Sequence, residues 1–288
     1  MAVLAGDWGR PVNTSAHEKG GIHDDETAQD LGFSGGTVAG SLHMEQFPPL
    51  LLEHFGADWW RRGNLSLYFR QATMDRDPVR CFLEPGDADR ARVWMENEAG
   101  DVIMSGSAAL GEDLESELRQ RVAQVRPATD LRMLADIRVG EVCEPLTARA
   151  GDDQIDARLK VITEPLPLYE HNAQENARWG GRVLPAAACI HTFRGVETPL
   201  APVRGPFVGL FGAIEIQYLA GPVVSERDYE LTGQVLAVSE SPKTEVIWFE
   251  ATLADPTNGT PVARMIKMDR LMKGASPLWQ AEASGSEA

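Results

Sequence analysis

Gly35-Gly36-Thr37-Val38-Ala39-Gly40 returns about 145 residues later as Gly180-Gly181-Arg182-Val183-Leu184-Pro185. That interval is half of a 288-residue chain, and self-similarity at one fixed spacing is the mark of a duplicated unit. Each copy opens an apolar helical segment, Ser41 to Phe47 in the first and Ala186 to Phe193 in the second, where Pro185 suits a first helical position. In the first copy Val38, Leu42, Gln46 and Leu50-Leu51-Leu52 extend the buried face. Pro48-Pro49 must kink or split that helix, because proline lacks the helix donor and clashes with the turn before it.

Strands follow each helix. The first set is Leu65 to Arg70, Val79 to Leu83, Ala91 to Glu96 and Val102 to Ala108, the last two joined by the turn Asn97-Glu98-Ala99-Gly100-Asp101. The second set is Ala213 to Tyr218, Tyr229 to Val235, Glu245 to Leu253 and Pro261 to Lys267, with Asp255 to Thr260 as the matching hairpin turn. A charged helical connector from Glu112 to about Val125 links the halves. The predicted division is an N-terminal unit over 1–125, a C-terminal unit over 126–280 and a Ser, Gly and Glu-rich tail over 281–288, too polar to order. Each unit pairs one central helix with an antiparallel sheet, an α+β arrangement in two repeats.

Composition narrows the partners. A formal net charge of −16 opposes nucleic acid, whose phosphates need a basic footprint, and anionic membrane surfaces alike. No apolar run reaches the roughly 18 residues of a membrane span, and Met1 to Asp7 has neither the basic region nor the apolar core of a signal peptide. Cys81, Cys143 and Cys189 are odd in number and scattered, so neither a disulfide framework nor a metal cluster is expected. The expectation is an acidic, cytoplasmic protein without a metal or other cofactor.

The segment from Glu18 to His43 concentrates the chemistry. Ile22-His23-Asp24-Asp25-Glu26-Thr27-Ala28 sets a histidine beside carboxylates, one of which can cap a helical turn that ends at Gly32. Leu31-Gly32-Phe33 and the glycines then lead to Val38-Ala39-Gly40 and the helix start. The bland reading is a solvated loop with a helix cap and a turn that the fold requires in both halves.

This segment resembles the MaoC-like acyl dehydratases and R-specific enoyl-CoA hydratases, which have a double hotdog fold. They carry Asp-x-Asn-Pro-apolar-His-x-Asp, then Ala, Gly-Phe and a small-residue loop opening the central helix. Here Glu18 stands where that aspartate would be, and the Asn-Pro is replaced by Gly20-Gly21. The resemblance implies that a hydratase or dehydratase acts on a conjugated acyl substrate such as a CoA thioester. His23 with Glu18 or Asp25 would move the protons. The helix start at Gly40 and Ser41, approached past Gly36 and Val38, would hold the developing oxyanion. Arg61, Arg62, Arg70 and Arg76 are candidates for the carrier's phosphates, and pairing through sheet edges or helices implies a homo-oligomer.

Secondary candidates remain. His43 and His191 sit at similar places in the two central helices and read as hydrogen-bonded core histidines. Glu45, on the central helix, is where some hotdog thioesterases place their base, so thioester hydrolysis by Glu45 or Asp25 is the alternative reaction. Pro185, set against Gly40, would remove an N–H from the second half, making it a scaffold unless Glu170 and His171 join the site. Trp59-Trp60-Arg61-Arg62 reads as an apolar lid with a cationic tip. The non-enzymatic alternative is a hotdog pair that binds an apolar small molecule or a partner protein.

Overall fold

A computed structural model describes residues 2–87, 89–172 and 174–280; the tail expected to be unstructured, 281–288, lies outside the described residues. Ten strands form one antiparallel sheet: β1 (Leu4–Gly9), β2 (Gly63–Phe69), β3 (Val79–Pro85), β4 (Arg90–Asn97), β5 (Val102–Leu110), β6 (Leu146–Ala148), β7 (Gly209–Tyr218), β8 (Tyr229–Glu240), β9 (Thr244–Ala254) and β10 (Pro261–Met272). Their order across the sheet is β1-β3-β4-β5-β2-β7-β10-β9-β8-β6. Five strands from the first half therefore lie beside five from the second, and β2 pairs with β7 from Asn64↔Gln217 to Tyr68↔Ala213.

The predicted hairpins form. Asn97 N–H donates to Asp101 O at 3.1 Å, and Asp255 N–H to Thr260 O at 2.9 Å, while the side chains of Asn97 and Asp255 accept further backbone N–H groups. Asx turns of this kind explain why those residue types close the strands. Period-two alternation then divides the sheet into two faces. Leu65 and Leu67 join the main core with the central helices, whereas Tyr68 packs on the other face with Leu118, Ala213, Trp248 and Met268.

The helices are α1 (Asp25–Asp30), α2 (Gly40–Met44), α3 (Pro48–Phe55), α4 (Trp59–Arg62), α5 (Glu117–Ala123), α6 (Asp152–Leu159), α7 (Gln174–Trp179), α8 (Ala186–Phe193), α9 (Glu197–Leu200) and α10 (Pro277–Gln280). The proline pair splits the first central helix: three-residue-spaced bonds at Glu45, Gln46 and Phe47 tighten the end of α2, and Pro48 starts α3. The second central helix, α8, lacks internal proline and runs unbroken. Trp59 and Trp60 are buried in the core rather than forming an exposed lid, while Arg61 and Arg62 stay outside. All three cysteines are buried and unpaired.

Two elements carry no sequence signal. β6 is three residues long, and α6 buries only Ile155 fully, so neither shows an apolar period. Tertiary partners hold α6, chiefly Arg158 on Glu45 of the other half.

The junction between halves is polar as well as paired. Glu215 on β7 is 1% exposed and accepts from Asn64 Nδ2 at 3.1 Å, Ser116 Oγ at 2.7 Å and Arg119 Nε at 2.7 Å. Replacing it with alanine leaves those donors without their shared acceptor. We expect Glu215→Ala to lose about 2–4 kcal/mol of stability. Denaturant titration checks this, and a loss within experimental error would show that the junction depends on strand pairing alone.

Candidate functional site

Asp24 builds the start of α1. Its Oδ1 accepts from Thr27 N–H at 3.2 Å and its Oδ2 from Gly20 N–H at 3.0 Å, which folds the chain back before the helix. These bonds, the Thr27 contact first, hold its carboxyl down to about 2. Asp24 is thus a fixed anion and a cap.

His23 stands immediately before it, half-buried on the glycine loop. Its carbonyl accepts from Asn13 Nδ2 at 2.8 Å, and Asn13 N–H is held by Asp75 Oδ1 at 2.7 Å. A Cβ at Gly36 would collide with the His23 carbonyl, so this residue must be glycine for the loop to lie against the histidine. His23 Nδ1 lies 2.8 Å from Thr37 O. A carbonyl oxygen only accepts, so Nδ1 carries the proton and Nε2 of the neutral ring keeps its lone pair.

The carboxylates expected to assist are placed elsewhere. Glu18 is exposed in a turn, and its Oε1 accepts from Ser15 Oγ at 3.3 Å. Asp25 is the first residue of α1, and its Oδ1 accepts from Gly36 N–H at 2.7 Å, closing the glycine loop. The structure therefore brings His23 and the loop together, and gives Asp25 a structural bond and Glu18 a solvated position.

The helix start lies just beyond. Val38 is buried and its N–H is used by Thr73 O at 2.9 Å, so it shapes the wall but donates nothing. Ala39 is the N-cap of α2 and makes no side-chain cap bond. The first N–H groups of the helix, from Gly40 and Ser41, have no intrahelical acceptor by geometry. The Phe69 ring covers one flank: a Cβ on Gly40 would sit 2.6 Å from Phe69 Cε1.

His43 and Glu45 point into the interior. His43 Nε2 lies 2.7 Å from Thr73 Oγ1, and burial pushes its imidazole down to about 4. Glu45 is 1% exposed and receives Arg158 Nε at 3.1 Å, Arg158 Nη2 at 2.7 Å and Ala187 N–H at 3.3 Å. Burial raises its pKa, and the Arg158 guanidinium opposes that rise. It ties α2 to α6 and to the first turn of α8.

The second half matches the first with a slip of one residue. Thr37 bridges Met74 as Val183 bridges Val224, and Val38 N–H binds Thr73 O as Leu184 N–H binds Val223 O. Pro185 therefore stands at Ala39 rather than Gly40, and Ala186 supplies the helix-start N–H. Arg182 takes the place of Gly36. The same slip sets Cys189 opposite His43 and exposes His191, which is not the core histidine expected.

Tyr169 correspondingly occupies the His23 position, buried, with Arg182 Nε and Nη2 donating to its carbonyl at 2.9 and 2.8 Å. Glu170 is exposed, and its carbonyl accepts from Asn176 Nδ2 at 2.7 Å. His171 borders an open cleft of about 320 Å³ with Asp152, Arg182 and Ser225. Its Nε2 is 3.0 Å from Arg182 Nη1, and a guanidinium only donates, so this lone pair is already engaged. No local pattern marks Asp152 or Arg182 as its partners, because they lie 19 positions before it and 11 after it in the chain.

The four candidate arginines do not converge. Arg61 is exposed, Arg62 faces Asp89 at 3.9 Å, Arg76 sits beside Asp75 at 3.7 Å, and Arg70 lies across the sheet beside Glu117. Among the described residues no group of His, Cys, Asp and Glu could hold a metal ion, and no helix is long and apolar enough to cross a membrane.

The sequence matches no protein-family profile and no curated protein sequence. Solved structures do match. One is a Mycobacterium tuberculosis protein described as having a double hotdog fold, at TM-score 0.61 and 11% identity, covering 94% of this chain and 96% of that one. A MaoC domain protein dehydratase from Chloroflexus aurantiacus matches at TM-score 0.60 and 11% identity, covering 94% of each chain. A MaoC-like dehydratase matches at TM-score 0.56 and 12% identity, covering 93% of this chain and 97% of that one. The chain has the double hotdog fold of MaoC-like dehydratases.

Burial of His43 sets a pH dependence. In the unfolded chain a histidine protonates near 6.5, whereas this one resists until about 4. Between those values the unfolded state binds more protons, so stability falls as the pH falls through that window. From pH 7 to pH 5 the loss from this residue should be about 2 kcal/mol. His43→Gln should show a correspondingly smaller drop in denaturant titrations at the two pH values; an unchanged drop would assign the acid sensitivity to other groups.

Proposed function

We propose that the chain is a hydro-lyase that adds or removes water at a conjugated acyl thioester, with His23 as the one side chain that carries the proton. The observation behind this is the bond from Nδ1–H to the Thr37 carbonyl, which fixes the tautomer and leaves Nε2 as a base on the loop that opens α2.

In the hydration direction Nε2 takes a proton from water as the water oxygen bonds to the β-carbon. Electrons move through the double bond to the thioester oxygen, and the Gly40 and Ser41 N–H groups stabilise that enolate. The same imidazolium then returns its proton to the α-carbon as the carbonyl re-forms. One histidine serves both transfers, so the sequence needs no free carboxylate, in keeping with the engagement of Asp25 and the solvent position of Glu18. The fold shared with MaoC-like dehydratases supports the class of enzyme, and the second half acts as the scaffold.

Hydrolysis of the thioester fits less well. It requires Glu45 or Asp25 to activate water, and these are bound to Arg158 with Ala187 and to Gly36 respectively.

His23→Ala should lower kcat for loss of enoyl absorbance by about 10²–10⁴-fold without a change in melting temperature. Glu18→Gln should stay within about threefold, as an exposed side chain outside the proton path should. Turnover by His23→Ala near the wild-type rate would overturn the assignment, and thiol release from a saturated acyl thioester would favour hydrolysis instead.

A further inference from the structure

Strand β7 carries an extra residue against β10. Met268 pairs with Ala213 and Asp269 with Phe211, so Gly212 is bulged out of the register. A bulge turns neighbouring side chains out of strict alternation. A Cβ on Gly212 would collide with Met268 and lie 2.9 Å from Arg270 Nε, so glycine at the bulge lets Arg270 lie flat across β7. Met268 packs with Tyr68 on the face opposite the central helices, with Tyr68 OH 3.6 Å from its sulfur. Arg270 is thereby delivered to the Tyr68 side of the sheet.

Two more guanidinium groups meet there. Arg70 Cζ lies 5.1 Å from the Tyr68 ring centroid and Arg121 Cζ 4.6 Å from it. Arg70 and Arg121 share a single carboxylate, Glu117. The Arg270 side chain has no hydrogen bond or ion pair with any described residue, and its half-buried position, with Arg121 and Arg70 nearby, lowers its pKa. In a chain of net charge −16, three arginines against one glutamate around one aromatic ring is a concentrated local excess of about two positive charges.

The geometry points to a phosphate-binding site formed by Arg70, Arg121 and Arg270 over Tyr68, taking a phosphate monoester or diphosphate group. Guanidinium forks match phosphate oxygens, and a phosphate monoester carries about two negative charges near neutral pH, equal to the local excess. The aromatic ring supplies a platform against which the forks are already ordered. The phosphate has two possible sources: a free anion, or the phosphorylated carrier of the acyl substrate. Arg70 directly follows Phe69, whose ring covers Gly40, so the cluster lies on the face of β2 opposite the proposed catalytic site. Only the carrier assignment rests on the hydro-lyase reading.

Calorimetric titration of the full chain with inorganic pyrophosphate at low salt tests the site without any need for turnover. Saturable binding is expected, weakened by about tenfold or more in Arg270→Gln and in Arg121→Gln, and unchanged in Arg61→Gln. Arg121 is on the exposed side of α5, so its variant keeps the test open should Arg270→Gln fail to fold. Absence of saturable binding by the wild type, or equal binding by the folded arginine variants, would overturn the site. KM values for an acyl-CoA and the corresponding acyl-pantetheine identify the source. A KM difference that collapses in Arg121→Gln assigns the phosphate to the carrier, and equal KM values alongside pyrophosphate binding assign it to a free anion. His23→Ala should bind pyrophosphate as the wild type does, which separates failure of the catalytic reading from failure of this one.

Discussion

The pairing of β2 with β7 is the constraint on which the remaining architecture depends. A five-stranded half with one helix leaves a long unpaired edge and an apolar flank, both costly in water. Joining the halves at β2 and β7 removes one edge from each and leaves β1 and the short β6 as the outer strands. It also fixes the two faces at once, because a register error of one residue would move Tyr68 and Leu67 to the wrong sides. The Glu215 carboxylate enforces that register, since Asn64 on β2, the α5 N-cap Ser116 and Arg119 in the first turn of α5 satisfy it together.

With the sheet continuous, α2 and α8 must share its inner face and meet. Glu45 stands where they meet, bonded to the first turn of α8 and to Arg158. A carboxylate so buried is useful only when its partners are complete. The position that looked suited to activating water is therefore spent on docking one half against the other. Asp25 follows the same logic on a smaller scale, since a loop of glycines needs an acceptor for its freed N–H groups.

Much of the fold was legible in the sequence because strands and hairpins are local. Alternation in Leu65 to Arg70 and the Asx turns at Asn97 and Asp255 reveal themselves over a few residues. The duplication was legible too, but its phase was misread by one: Gly180-Gly181 looks like Gly35-Gly36, while bridging places Arg182 at Gly36. Composition matched the glycines, whereas hydrogen bonding aligns the backbone. The same slip misplaced His191 and Pro185. For the site, His23 and the glycine loop were readable as a cluster. The partners of its carboxylates were not, because a bond such as Gly36 N–H to Asp25 depends on how the loop closes. Nor could α6 be read, since its stability comes from Glu45, 113 residues distant from Arg158.

What distinguishes the halves is the presence or absence of one side chain. At Gly36 the backbone lies directly on the His23 carbonyl, and the ring is tied to Thr37 with a nitrogen left over. At Arg182 a guanidinium fills the corresponding space, binds the Tyr169 carbonyl and occupies the His171 lone pair. The first arrangement leaves Nε2 of the neutral His23 ring with its lone pair, whereas in the second the Arg182 guanidinium takes up both the Tyr169 carbonyl and His171 Nε2. Phe69 completes the difference by covering the flank of Gly40, where excluding water strengthens any bond that the helix-start N–H groups make to a developing negative charge. The duplicated fold thus provides two equivalent places, and the proposed chemistry rests on the one where local packing leaves an imidazole nitrogen unengaged.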